Sequence, residues 1–324
     1  MADTLRSVVA QDWRAKEVIV VDDGSMDSTL SVARSFESKF VKVVTQGNCG
    51  ASAARNHALS LAQGDYIQWL DADDLLAPDK ISRQLREAEG DSTSRVLLSS
   101  AFGEFVVDPK TAKFAPHVLW KDLLPVDFLV NKFTQNVWLN PGVWLVSRTL
   151  TELAGPWDER LSLDDDGEYF ARVIANCERV KFVPEAFVYY RTANVRSLSR
   201  GVSERACESL FLSMSLCINH LRSIEESERT CAAGVKLLQT SLDLSNCFYP
   251  DNKNLLCRAN NLATELGGIL MSPPIRWKYF LFQMLFGPKI AKRIRALVSN
   301  MKLLARIGCA KLRRFETARA KIRS

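Results

Sequence analysis

Three short polar clusters, each set directly behind an apolar strand-like run, constrain the fold of this chain more than any other feature. Residues 17–21 (E-V-I-V-V) form a run that stops at Asp22-Asp23-Gly24-Ser25, residues 41–45 stop before the loop 47–50, and residues 65–70 stop at Asp71-Ala72-Asp73-Asp74. Helix-period segments alternate with these runs at 3–12, 28–39, 51–62 and from Pro78 onward, where proline suits a first helical position. Strands that are apolar along nearly their whole length and alternate with helices predict a parallel sheet covered on both faces. Ligands of such sheets bind at the carboxyl edge of the strands, so the three clusters are expected to meet on one rim.

Beyond residue 95 the pattern is mixed. Short strands are expected at 96–100, 102–107, 143–146, 180–183 and 186–191, with a helix at 163–177 entered through an acidic run. Residues 204–267 read as helical, broken at Pro250 and Asp251. The 324 residues suffice for about two domains, and 47% hydrophobic with 25% charged residues excludes disordered, collagen-like and coiled-coil chains. Eight cysteines without a Cys-x-x-Cys pair predict reduced, mostly buried thiols. Three histidines, none at ligand spacing to another, argue against a His/Cys zinc site.

The net charge of +6 conceals an asymmetry. Residues 276–324 hold fourteen Lys and Arg against one acid, Glu316, so this tail carries +13 and the first 275 residues carry −7. Apolar residues at helical spacing among these charges (Ile290, Ile294, Leu297, Met301, Leu304), behind aromatics at Trp277, Tyr279, Phe280, Phe282 and Phe286, fit an anionic membrane surface better than nucleic acid. A helix docked on the body with solvated charges is the plainer alternative. No apolar stretch reaches the ~20 residues of a membrane-spanning helix. Without the basic and apolar regions of a secretory signal at the start, a cytoplasmic chain is expected, peripheral on the inner face of the membrane if the tail engages it.

The acidic clusters carry the chemistry. Three carboxylates in four residues at 71–74 repel one another unless a cation or strong donors hold them, and such sites suit Mg²⁺ or Mn²⁺ sharing the phosphate oxygens of a nucleotide diphosphate. A solvated turn capping the next helix is the plainer reading of those residues alone. Asp22 and Asp23 end a strand, where a carboxylate can accept from a base N–H or a ribose hydroxyl, although by itself this is an ordinary strand-to-helix turn. In Gly50-Ala51-Ser52-Ala53-Ala54-Arg55-Asn56 the small residues admit a close ligand, and Arg55 offers a fork for phosphate or, equally, a bridge between the acidic turns. Asp164-Asp165-Asp166 exceeds what capping needs, which suits a general base. His57 reads as a packing or surface residue, and Trp120, Trp138 and Trp144 suit the core as well as sugar stacking.

Four ordered motifs, V-I-V-V-D-D-G-S-x-D-x-T, G-x-S-x-A-R-N, D-Y-I-x-W-L-D-A-D-D-x-x-x-P-D-K and G-P-W-D-E-R-L…D-D-D-G-E-Y-F-A-R, resemble the family 2 glycosyltransferases with the GT-A fold over about residues 3–200. The resemblance implies an α/β architecture with a mixed, mostly parallel sheet flanked by helices at 1–200, followed here by a helical region at 201–275 and the basic tail at 276–324. It implies inverting transfer from a nucleotide-diphospho-sugar, usually a UDP-sugar, with Mn²⁺ or Mg²⁺, to a saccharide or lipid-linked acceptor in cell-surface polysaccharide or glycolipid synthesis. By the same resemblance Asp22, Asp23, Arg55 and Asp71 fall on nucleotide-binding positions, Asp73 on the metal ligand and Asp166 on the catalytic base, with Asp165 in place of the usual Glu. Residues 190–199 resemble the loop that closes over the diphosphate. Such enzymes begin with a strand of the type V-S-V-I-I-P-x-Y-N. Here the sequence starts inside the helix that follows it, which predicts a sheet one strand short and leaves open a late start site or an inactive, truncated copy acting as a membrane-peripheral partner protein. A sugar-phosphate nucleotidylyltransferase fits less well, because no Gly-rich phosphate loop opens the chain.

Overall fold

The structure, a computed structural model, describes residues 1–89, 93–192, 203–244 and 252–271. The opening alternation folds as expected into α1 (Ala2–Val9), β1 (Val18–Asp23), α2 (Thr29–Arg34), β2 (Val41–Gln46) and α3 (Ala51–Leu61). The central strands continue with β3 (Tyr66–Ile67) and β4 (Leu75–Leu76), then α4 (Lys80–Ala88), β5 (Val96–Phe105) and β6 (Lys113–Phe114). Next come α5 (Pro125–Gln135), β7 (Val146–Ser147), α6 (Arg148–Ala154), α7 (Asp165–Asn176) and β8 (Arg179–Arg191), and last the helices α8 (Glu204–Ile224), α9 (Glu228–Leu244) and α10 (Lys253–Glu265).

Pairing is mixed. β1 and β2 run parallel, as do β5 and β8, whereas β3 with β7, β4 with β8 and β5 with β6 are antiparallel. The sheet is mixed, as the resemblance implied: the opening alternation gives the parallel β1–β2 pair, and β4 turns straight back from the acidic cluster to lie antiparallel against Val188 and Tyr189. The strands expected at 96–100 and 102–107 are one strand, as are those at 180–183 and 186–191. Between Ser100 and Ala101 the register slips, and the side-chain alternation breaks with it.

β1 and β3 are not paired with each other. Each has one strand neighbour among the described residues, β2 and β7 respectively. A cavity of about 670 Å³ lies between them, lined by Val18, Val20, Ile67 and Leu70 from the strand side and by Leu5 and Ala58 from α1 and α3. Between β1 and β3 an apolar cavity thus stands where no strand ladder forms among the described residues. The run 65–70 accordingly shows a regular ladder only at Tyr66 and Ile67, where β7 supplies the partner.

The main core lies between the β5–β8 strands and helices α5 to α7, with Leu97, Phe128, Leu129, Trp144, Trp157, Tyr169, Phe170 and Val180 nearly excluded from solvent. Burying each large apolar side chain stabilises by about 1.5–3 kcal/mol. Helices α8 to α10 build a second cluster from Phe211, Met214, Ile218, Leu238, Leu255 and Ala259, while Cys217, Leu221 and Ala233 join them to the main core. No helix of the described residues is long and apolar enough to cross a membrane. Cys49, Cys177, Cys217, Cys231 and Cys257 are free thiols, but Cys207 is disulfide-bonded, a correction to the expectation of reduced thiols.

Candidate active site

The three polar clusters do share one rim, and the hydrogen bonds show how. Gly24, at φ +76°, turns the chain out of β1 in a conformation that a side chain would strain. Behind it Asp23 accepts from the backbone N–H groups of Cys49 and Gly50, both at 2.8 Å, and from Gln46 Nε2 at 2.9 Å. Partial burial works against the charge, but these donors hold the Asp23 carboxyl below its ordinary range. Asp23 therefore ties the end of β1 to the loop that opens α3. Asp22 is buried, takes the Ser25 N–H on Oδ2 at 3.2 Å, and leaves Oδ1 without a partner among the described residues.

Arg55 joins the second cluster to the acidic turn of α7. Its guanidinium meets Asp165 Oδ2 at 2.5 Å and Asp71 Oδ1 at 3.1 Å while lying 4.3 Å above the ring of Trp157. Burial opposes its charge, yet the Asp165 and Asp71 carboxylates hold its proton more firmly than usual. Burial pushes Asp71 up despite Arg55. Of the two roles open to Arg55 in the sequence, the bridge between acidic turns is the one seen. The platform beneath it was not legible beforehand: Trp157 stacks on Tyr169 with centroids 4.0 Å apart, and Trp69 meets both edge-on. Asn56 fixes Trp157 by bonding both its N–H and its carbonyl.

The acidic run at 164–168 divides its labour. Asp164, in the left-handed region at φ 59°, accepts from Ser213 Oγ of α8 at 2.7 Å. A Cβ on Gly167 would come within 2.3 Å of Asp164 Oδ1, so a side chain there would displace the Asp164 carboxylate. Asp165 is held by Arg55. Glu168 is taken by Arg172, at 2.8 and 3.0 Å, and by His220 at 2.9 Å, and is held below its ordinary range by these partners although burial opposes it. That leaves Asp166, which among the described residues accepts only from the N–H of Gly167. Burial, with the carboxylates of Asp164, Asp165 and Asp71 adding to it, pushes Asp166 up to about 7.

On the other side of the cleft the turn at 71–74 is clasped by the end of β8. The Arg191 N–H donates to Asp74 Oδ1 at 2.9 Å and its Nε to the carbonyl of Asp73 at 3.0 Å. Asp74 is fully buried, and burial above all pushes it up to about 8. Asp73 is half-buried on the rim. The matched loop around Ser197, Leu198 and Ser199 and the basic tail lie outside the described residues.

Among the described residues no group of three or more His, Cys, Asp or Glu side chains is arranged to hold a metal ion. This does not fit an all-protein cage. A Mg²⁺- or Mn²⁺-type cation needs no such cage, since it is bound by one or two carboxylates together with waters and substrate phosphate. Asp71, Asp73, Asp165 and Asp166 together outnumber the guanidiniums of Arg55 and Arg191, an excess of negative charge that favours such a cation.

Residues 1–139, which carry the first three clusters, match the family model described as glycosyl transferase family 2. The match covers somewhat under half of the chain, and it is these residues that resemble the family. Similar proteins include the succinoglycan biosynthesis protein ExoU of Rhizobium meliloti, 28% identical over 73% of this chain and 68% of the relative. The uncharacterized glycosyltransferase YibD of Escherichia coli is 37% identical over 23% of this chain and 22% of its own length. The chain thus spans under a quarter of YibD and about two thirds of ExoU. Among solved structures, TarS residues 1–349 of S. aureus in complex with UDP-GlcNAc superimpose with a TM-score of 0.63 at 17% identity, covering 81% of this chain and 76% of that one. The fold of this chain is accordingly GT-A, as the motifs implied.

The acidic residues stand out in the sequence, but their supports in the structure do not. Trp157 and Asn56, which seat Arg55, and His220, which engages Glu168, act across separations of 101, 101 and 52 residues that no local pattern carries. Tyr190 was another omission as a site residue. Burial first, and then the charges of Asp74, Asp73, Asp71 and Asp166, push its phenol up to about 12, which sets it beside the acidic cleft.

Proposed function

We propose that the chain is an inverting glycosyltransferase that moves a sugar from a nucleotide-diphospho-sugar, of the UDP-sugar class, to an acceptor hydroxyl. The single observation that supports this most is the division of the acidic run. Asp164, Asp165 and Glu168 are each committed to a structural partner, and Asp166 alone is left facing the cleft with a proton affinity near neutrality. A general base works best when its pKa lies near the working pH.

The step balances as a single displacement. The acceptor oxygen forms a bond to the anomeric carbon, the bond from that carbon to the diphosphate oxygen breaks, the hydroxyl proton passes to Asp166, and the nucleoside diphosphate leaves with the electron pair. Asp22, Asp23 and Asp71 border the nucleotide side, and Asp73 would hold a Mn²⁺ or Mg²⁺ ion whose charge offsets that of the diphosphate. Arg191, hydrogen-bonded to the Asp73 carbonyl, adds a fixed cation to the same rim. The relative ExoU is named for succinoglycan biosynthesis, which supports an acceptor in cell-surface polysaccharide or glycolipid synthesis. The test is release of UDP from UDP-sugars in the presence of saccharide acceptors, with Asp166→Asn as the control. Release that is equal in that variant would overturn the assignment.

The basic tail adds a second element to this proposal, that the enzyme works at the inner face of a membrane. Each Lys or Arg near an anionic surface contributes on the order of 1 kcal/mol, so partial engagement of the +13 segment suffices to hold the chain beside a lipid-linked acceptor. Full-length protein is expected to sediment with vesicles containing anionic phospholipid, to be partly released by salt, and to stay in the supernatant once residues 276–324 are removed. Equal sedimentation with and without the tail would show that the tail is not a membrane contact.

A further inference from the structure

The sequence left three tryptophans equally suited to packing and to sugar contact, and the structure separates them. Trp144 is 1% exposed and packs on Phe128 and Phe170. Trp120 stacks on Phe182 with centroids 5.6 Å apart. Trp138 is 46% exposed, although Phe102 lies edge-on at 5.7 Å and Tyr190 at 4.6 Å. Its ring is thus propped from two sides by aromatic edges and still presents nearly half its surface to solvent.

The position of Tyr190 fixes where this surface lies. It is the penultimate residue of β8, between Tyr189, which pairs with Leu75 directly after the acidic turn, and Arg191, whose N–H bonds Asp74. Its phenol feels the charges of Asp71, Asp73, Asp74 and Asp166. An aromatic stripe therefore runs from the carboxylates through Tyr190 to the open ring of Trp138. A pyranose ring carries axial C–H bonds on one face and hydroxyls around its edge. Its polarised C–H groups complement the negative face of an indole, and its edge hydroxyls reach a polar neighbour. The surplus of carboxylates along the same rim repels anionic sugars, so the complementary ligand is a neutral pyranoside.

We propose that Trp138, braced by Tyr190 and Phe102, is the stacking platform of the acceptor subsite and selects neutral pyranosides, laying the C–H face of the ring on the indole while an edge hydroxyl points toward Asp166. This rests on the glycosyltransferase reading of the acidic cleft. It adds a substrate class and a specificity-determining residue that lies outside the carboxylate cluster. Exposure also makes Trp138 replaceable without opening the core.

The probes are octyl β-D-glucopyranoside and octyl β-D-galactopyranoside below their micelle concentrations, with UDP and Mn²⁺ titrated separately. Saturation-transfer NMR on the full chain is expected to mark the ring protons of one C–H face in at least one of the two glycosides. Trp138→Ala is expected to weaken that glycoside about tenfold, equivalent to about 1.4 kcal/mol, with Trp138→Phe within about threefold of wild type. UDP affinity and melting temperature stay at their wild-type values in both variants. Ring-proton transfer to neither glycoside, or equal transfer in wild type and Trp138→Ala, would overturn the platform while UDP binding persists. Loss of UDP binding in the wild type would instead bring down the glycosyltransferase reading itself.

Discussion

Asp166→Asn is expected to lower sugar transfer by about 10²–10⁴-fold, the range that general-base catalysis contributes, while leaving donor binding close to wild type. The substitution keeps the shape of the side chain and its bond to the Gly167 N–H, and removes only the capacity to take a proton. The same group sets the pH profile. With its carboxyl raised to about 7, the productive, deprotonated form grows as pH rises through neutrality, so kcat/KM is expected to climb to a plateau above that point. The variant is expected to lose this acidic limb. Steady-state rates between pH 5 and 9 check both. Transfer within about threefold of wild type would move the base elsewhere, and Glu168 would be a poor replacement because Arg172 and His220 already hold it.

Arg55→Ala carries the largest expected effect on the fold. It strips the partner from two carboxylates at once, Asp165 and Asp71, whose side chains are 18% and 36% exposed, and removes the cation resting on Trp157. Breaking a buried pair by deleting one member costs about 3–5 kcal/mol. Partial exposure puts the expectation here at the lower end, about 2–4 kcal/mol, or a melting temperature lower by roughly 5–15 °C for a chain of this size. Arg55→Lys is expected to recover only part of the loss, because an ammonium cannot reach both turns with a planar fork. Adding Asp165→Asn to Arg55→Ala is expected to restore several degrees by removing the stranded charge. A single variant that melts within about 2 °C of wild type would show that Arg55 is not the clasp between the acidic turns.

The sequence carried the parts of this fold that depend on neighbours in the chain. Strand runs at Val18 and Val41, the turn glycine at 24 and the acidic strand ends at 22–23 and 71–74 follow from local period and residue type, and they appear where expected. Helices α5 and α6 went unread. α5 begins at Pro125 and buries Val126, Phe128, Leu129 and Phe133 in one stripe, and α6 is capped by Ser147, whose hydroxyl takes the Leu150 N–H. Both sit among short apolar runs in which helix and strand periods are hard to tell apart. The site shows the same division. Its carboxylates were legible as residue types, but which of them remains available was not. That depends on Arg55 reaching Asp165 across 110 positions and on α8 supplying Ser213 and His220. The composition of the acidic run could not distinguish Asp166 from its neighbours on either side.

The most direct test of the central claim is calorimetric titration of the full chain with UDP, with and without Mn²⁺. The account predicts saturable binding that tightens by about tenfold or more with the metal, the gain being lost in Asp73→Ala because the carboxylate that anchors the cation is gone. UDP binding that is undetectable in the wild type, or equally strong in wild type and Asp73→Ala with Mn²⁺ present, would contradict it.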